Sequence, residues 1–255
     1  MLTDWQLLAV LTGGTVVLCL STYAIARLFL SRHGDEHTSP LSKSILDRIA
    51  TLLSLILALV FAQEFLNYNE TRAAVDREGT LLSNTYFDLK RYDPVETLQM
   101  QQDLVAYATS VIVNEWPILG REHHLDETTW QLRENVYLGA LDLKPANDRQ
   151  KDLRDRIVRS MMQLGDERDK RGYAAARGVG PAFWIVSFVG IFLVSMLFFV
   201  VPPTAINVAV VTVFAFYTGI VLALIGAYAD PFQRPGYIPP APIEAFLSQV
   251  ERGVR

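Results

Sequence analysis

The chain has 255 residues, a net charge of −4 and 51% hydrophobic residues. Its central block, residues 68–180, carries 16 Lys/Arg against 19 Asp/Glu, so it lacks the basic stripe that nucleic-acid binding needs. The single cysteine, Cys19, excludes a disulfide framework and a cysteine-based metal site.

Four long apolar stretches set the class, because about 20 apolar residues in a helix span a hydrocarbon core of roughly 30 Å. The first covers residues 5–30, and between Leu2 and Ala26 the only formally charged side chain is Asp4 near the start. It has no basic leader and exceeds the 7–15 apolar residues of a signal peptide, so it is expected to stay as a membrane helix. Residues 27–43, with Gly34 and Pro40, form a short polar connection. The first two crossings therefore read as an antiparallel hairpin.

The second stretch, residues 45–66, is mixed in character. A helical net puts Asp47, Thr51, Ser54, Ala58, Phe61, Glu64 or Phe65, and Tyr68 on one face. The other faces hold Leu52, Leu53, Leu55, Ile56, Leu59 and Val60. Ionisable residues at membrane depth usually face a bundle interior or a water-filled path, while small residues also serve ordinary helix packing. Leu57, Phe61 and Phe65 recur every four residues and could form an apolar constriction of the kind that gates by dewetting. Beyond Leu66 only Gly79 interrupts the helical pattern as far as Lys90, so this helix is expected to run well past the bilayer.

The central block reads as helical throughout. One apolar stripe comprises Val95, Leu98, Val105, Ala108 and Ile112 and is expected to end near Trp116-Pro117. Trp130, Tyr137 and Leu141 indicate a shorter helix. Leu153, Ile157, Met161 and Leu164 mark a third. His123-His124, and separately His33 and His37, read as solvated loop residues, since no second ligand pair follows at metal-site spacing. There is no phosphate-binding Gly loop, serine-nucleophile motif or paired-carboxylate arrangement. No catalytic residue, metal or cofactor is expected, and the chain does not read as an enzyme.

Residues 183–228 contain no Asp, Glu, Lys, Arg or His. Pro202-Pro203 stops one helix and lets the next begin, giving a second hairpin with almost no loop. The expected organisation is an all-α integral membrane protein: first transmembrane hairpin 1–67, helical domain 68–181, second hairpin 182–229 and tail 230–255. Four crossings put both termini and the central block on one side. That side carries Arg72, Arg77, Arg168, Lys170, Arg171, Arg177 and Arg234, against Arg27, Arg32, Lys43 and Arg48 opposite. The bias assigns the large block to the cytoplasm.

Several segments together resemble the bestrophin-like family of bacterial membrane proteins. They are Glu78-Gly79-Thr80-Leu81-Leu82 with Tyr86, Asn114-Glu115-Trp116-Pro117, Arg168-x-x-Arg171, Pro181-Ala182-Phe183-Trp184, and Asp230-Pro231-Phe232-Gln233-Arg234-Pro235-Gly236. The tail departs from the Pro-Phe-x-Gly form common in the family. The resemblance implies a homo-oligomer, a pentamer, in the bacterial inner membrane, passing small ions and above all chloride. It further implies a pore lined by the second crossing, with a neck carried over to Ser54, Leu57, Phe61 and Phe65; with Thr51 and Glu64 of the polar-small face, these six are the expected lining. Glu78, Glu115, Trp116, Pro117, Arg168, Arg171, Asp230, Pro231 and Phe232 are expected to be structural, with the two arginines pairing with Glu78 or Glu115 and Pro117 ending a helix. The competing expectations are a cation-selective channel of the same build and a non-conducting scaffold that binds a cytoplasmic partner.

Overall fold

The computed structural model describes residues 4–30 and 38–253. The chain divides into two compact units, residues 1–66 with 179–229, and residues 67–178 with 230–255. His33 and His37 lie outside the described residues.

The first unit contains α1 (Asp4–Leu30), the start of α2 (Thr38–Tyr92), α7 (Pro181–Leu197) and α8 (Ala205–Ala229). All four helices are long and apolar enough to cross a membrane. Two small clusters hold the unit together: Cys19 with Val211 and Ala215, and Leu53 and Leu57 with Ile191, Val194, Leu222 and Ile225. The link from α7 to α8 exposes carbonyls that no helix ladder can satisfy. The last turns of α1 supply the donors. Tyr23 Oη donates to the Val201 carbonyl at 2.9 Å, and Arg27 Nη1 donates to the Phe199 and Val201 carbonyls at 2.8 and 3.1 Å.

Helix α2 is 55 residues long, about 80 Å at 1.5 Å per residue, so it leaves the first unit and becomes a core element of the second. There it meets α3 (Leu98–Ser110), α4 (Trp116–Glu122), α5 (Glu127–Asp142), α6 (Asp148–Arg177) and α9 (Ala241–Gly253). Asp126 and Asn147 cap α5 and α6 by accepting the backbone N–H of Thr129 and Gln150. The core packs Leu82, Leu89, Leu104, Val136, Ile157, Met161, Leu164 and Phe246, all essentially without solvent exposure.

Two local expectations are corrected. Val95 and Leu98 are 82% and 51% exposed, because α3 starts only at Leu98 and turns Met100, Leu104, Tyr107, Ala108 and Val111 inward instead. Trp116-Pro117 does not end a helix. Residues Val111–Glu115 form a π-helical turn, and the chain continues directly into α4 with proline in its first turn. Proline lacks a donor and crowds the preceding turn, and the wider turn absorbs both defects.

The motif residues converge in this second unit. Arg171, fully buried, donates through Nη1 to Glu78 and through Nη2 to Glu115. Arg168 also grips Glu115 and donates to the Asp126 carbonyl at 2.6 Å. Tyr107 Oη donates to Glu78 Oε1 at 2.8 Å. Burial, and then the Glu78 carboxylate, push the Tyr107 hydroxyl well above the usual phenol range, so it remains a donor. Burial opposes the charge on Arg171, but Glu78 and Glu115 outweigh it and hold the guanidinium above its ordinary value. Two buried anions thus face two buried cations across α2, the π turn and α6.

The same cluster ties down the tail. The Arg171 guanidinium lies 5.0 Å from the Trp116 ring centroid. Trp116 Nε1 donates to the Ile238 carbonyl at 3.0 Å, and its ring meets Phe232 edge-on at 5.5 Å. Asp230, whose carboxyl burial raises above the usual range, accepts the Phe232 N–H, and the Pro231 carbonyl accepts from Ile238 N. Two glycines admit this strap. A Cβ on Gly79 would come within 2.6 Å of Pro242, and one on Gly120 within 2.7 Å of the Phe232 carbonyl oxygen.

Removing one partner of a buried pair strands the other charge, so Arg171→Ala should destabilise the protein by about 3–5 kcal/mol. Arg156→Ala, which removes a half-exposed arginine from a buried Asp88 that still keeps Arg91, should cost less than Arg171→Ala. Thermal unfolding of the detergent-solubilised protein compares the two. Gly79→Val should displace α9, read as faster proteolysis of the tail at unchanged membrane insertion, and Phe246→Ala should cost about 3–5 kcal/mol as a core truncation.

Candidate functional site

The crossing part of α2 presents three distinct sides, separated by the 100° step between successive residues. The inner side packs within the first unit. Leu53 and Leu57 are 4% and 6% exposed, and Phe61 and Glu64 are half-buried on the same half of the helix. A second side is plain hydrocarbon: Leu52, Leu55, Leu59 and Leu66 are each more than half exposed. The third side, an arc of about 80°, holds Asp47, Thr51, Ser54, Ala58, Ala62 and Phe65, all exposed. A leucine side and a hydroxyl-and-alanine side on one exposed helix surface ask for different neighbours. The leucines suit lipid, whereas the hydroxyls gain nothing from it.

Thr51 Oγ1 donates back to the Asp47 carbonyl at 2.7 Å. Its hydrogen is used within the helix, so the oxygen lone pairs are what the third side presents. At the inner-unit end, Phe61 stacks on Phe65 at 6.3 Å, and both rings meet Tyr228 of α8 at 5.9 and 5.6 Å. Phe65 is thereby positioned, while still 44% exposed. Past the crossing the same arc continues through Asn69, Arg72 and Asp76, also exposed.

Of the six residues expected to line a pore, Thr51, Ser54 and Phe65 lie on the third side. Leu57 does not: it fills the cluster with Leu53, Ile191, Val194, Leu222 and Ile225. Phe61 and Glu64 point between that cluster and the surface. The cause is the phase of the helix. Residues four apart drift by 40° per step, so a run at 57, 61 and 65 starts on the packed side and reaches the exposed side only at its end. Ala58 and Ala62 belong to the third side and were legible in the sequence as the small residues between Ser54 and Phe65. Among the described residues no group of three potential metal ligands occurs. His123 and His124 are exposed, His124 resting against Glu122.

The tail carries one element that the motifs did not announce, α9. Its signal was present in Ile243, Phe246, Leu247 and Val250, which recur at helical spacing. Ile243 and Phe246 are buried against the core of the second unit.

Comparison with known proteins gives this architecture a setting. The Bestrophin-like domain family matches residues 13–243. Two crystal structures of mutated forms of a bacterial bestrophin homologue from Klebsiella pneumoniae have the same fold. One superposes with a TM-score of 0.68 at 16% identity, covering 94% of this chain and 96% of that one. The other gives 0.67 at 15% identity, covering 97% of each. None of the curated proteins matches the chain in sequence. Four long apolar helices, a helical second unit closed by a buried ionic cluster, and a family match over most of its length agree: the chain belongs to the bestrophin-like family of membrane proteins.

Proposed function

We propose that the protein is an oligomeric ion channel, with several copies assembled so that the third side of α2 faces a common axis. The observation that carries this reading is the division of the exposed surface of α2 into a leucine side and a hydroxyl-and-alanine side. A subunit alone offers the third side to lipid, where its hydroxyls are poorly served. An assembly around it turns the same side toward water. A fivefold ring is the stoichiometry that the family resemblance brings forward, as is chloride as the permeant ion. From Thr51 to Ala62 the lining is neutral, so it passes small ions without sorting them by charge. Phe65, braced by Phe61 and Tyr228, supplies the apolar narrowing in place of Leu57.

The orientation that fits the basic residues puts the helical unit and both termini in the cytoplasm of a bacterial inner membrane. Arg168 and Arg171 are spent on buried ion pairs, which leaves Arg72, Arg77, Lys170, Arg177 and Arg234 for that bias. The motif residues Glu78, Glu115, Trp116, Pro117, Arg168, Arg171, Asp230, Pro231 and Phe232 serve the stability of the helical unit and stand clear of the ion path.

Flux of anions and cations through purified protein in liposomes tests this. Ala58→Trp should cut flux by about tenfold or more by plugging a narrow lining. Leu55→Trp, one step round on the lipid side, should leave it within about twofold. Equal effects of the two substitutions would remove the third side from the pathway. No flux of either sign from an intact oligomer would turn the reading to a scaffold.

A further inference from the structure

The neutral lining leaves the sign of the permeant ion to the charges nearest its ends. At the cytoplasmic end the next charged residue on the arc is Arg72, seven residues beyond Phe65, or about 10 Å along the axis. Asp76 follows one turn later with the opposite charge. At the other end Asp47 stands four residues from Thr51, about 6 Å away. Asp47 is exposed, and no ion pair to its carboxylate occurs among the described residues. Lys43 lies a further turn out and 40° round the helix, and Arg48 sits on the leucine side. Among the described residues of this arc, Asp47 is therefore the charge closest to the neutral stretch.

A second observation points the same way. Because Thr51 donates its hydroxyl hydrogen to the Asp47 carbonyl, it offers oxygen lone pairs to the path. Behind a carboxylate, the first lining group that an ion meets is an acceptor. Glu64, the other acid of this crossing, is turned toward the packed side.

On the channel reading above, we infer that Asp47 is the selectivity-determining residue of the outer mouth and that it favours cations. Copies of Asp47 around the axis form a carboxylate ring, and the Thr51 hydroxyls form an acceptor ring one turn deeper. This opposes the chloride expectation that the family resemblance brings. In water-like dielectric one carboxylate about 6 Å from an ion changes its local concentration roughly threefold, and a ring compounds the effect.

The test is the potassium-to-chloride permeability ratio from zero-current potentials in a KCl gradient, measured on the reconstituted oligomer. The native protein should favour potassium. Asp47→Asn should lower the ratio by about threefold or more, and Asp47→Lys should reverse it. Glu64→Gln should leave it unchanged. The native-to-Asn difference should fade near 1 M salt, where the screening length falls to about 3 Å. In parallel, Thr51→Cys should let a charged thiol reagent block flux, with native protein as the control for the buried Cys19. An unchanged ratio in Asp47→Asn, with Thr51→Cys still blockable, overturns the role of Asp47 and leaves the channel reading standing. An unchanged ratio with Thr51→Cys insensitive overturns both.

Discussion

The helical unit depends on one buried guanidinium. Arg171 has no solvent exposure, and its charge is tolerable only because Glu78 on α2 and Glu115 on the π turn both meet it. A single cation held between two anions would leave one negative charge in excess, and Arg168 removes it by meeting Glu115 from the adjacent turn. The geometry follows from sequence spacing, since residues 168 and 171 share a helix face. Trp116 then covers the guanidinium, and its indole N–H fastens the tail. Three helices and the strap are thus ordered by interactions that apolar packing alone would not have made specific.

The second constraint is the length of α2. It contributes a segment to each unit, and each unit buries its own side of that segment. Its packed side holds Leu53 and Leu57 in the first unit and Val75, Glu78, Leu82 and Leu89 in the second. These residues lie within one half of the helix at 100° per residue. In the first unit this leaves two exposed sides, the leucine side and the arc of Asp47, Thr51, Ser54, Ala58, Ala62 and Phe65. A pathway for ions along such an arc requires other copies of the chain. One subunit supplies only a wall.

Much of this was legible in the sequence. Four apolar runs, the Pro202-Pro203 turn and the stripe of Leu153, Ile157, Met161 and Leu164 carry their own periodicity, and each appears as a membrane helix, a tight link or a buried helix face. The pairing of Arg168 and Arg171 with Glu78 and Glu115 was also within reach, because charged residues in a helical core must find opposite charge. The face of α3 was not, since Val95 and Leu98 fit the stripe by spacing but precede or begin the helix. Nor was the π turn, which depends on how the chain accommodates Pro117 while keeping Glu115 and Trp116 inward.

By itself, then, the amino-acid order determined the class of the protein and the length of its elements, because hydropathy and helical periodicity are local properties. It also determined which charges would have to be neutralised. Only the tertiary structure decided the phase of α2. Residues 57, 61 and 65 and residues 54, 58 and 62 are equally regular on paper. The packing of Leu53 and Leu57 against α7 and α8 leaves the second series, with Phe65 and Asp47, facing outward. A rotation of one residue step about the helix axis would have turned the first series outward instead, and no local feature of the chain sets that angle.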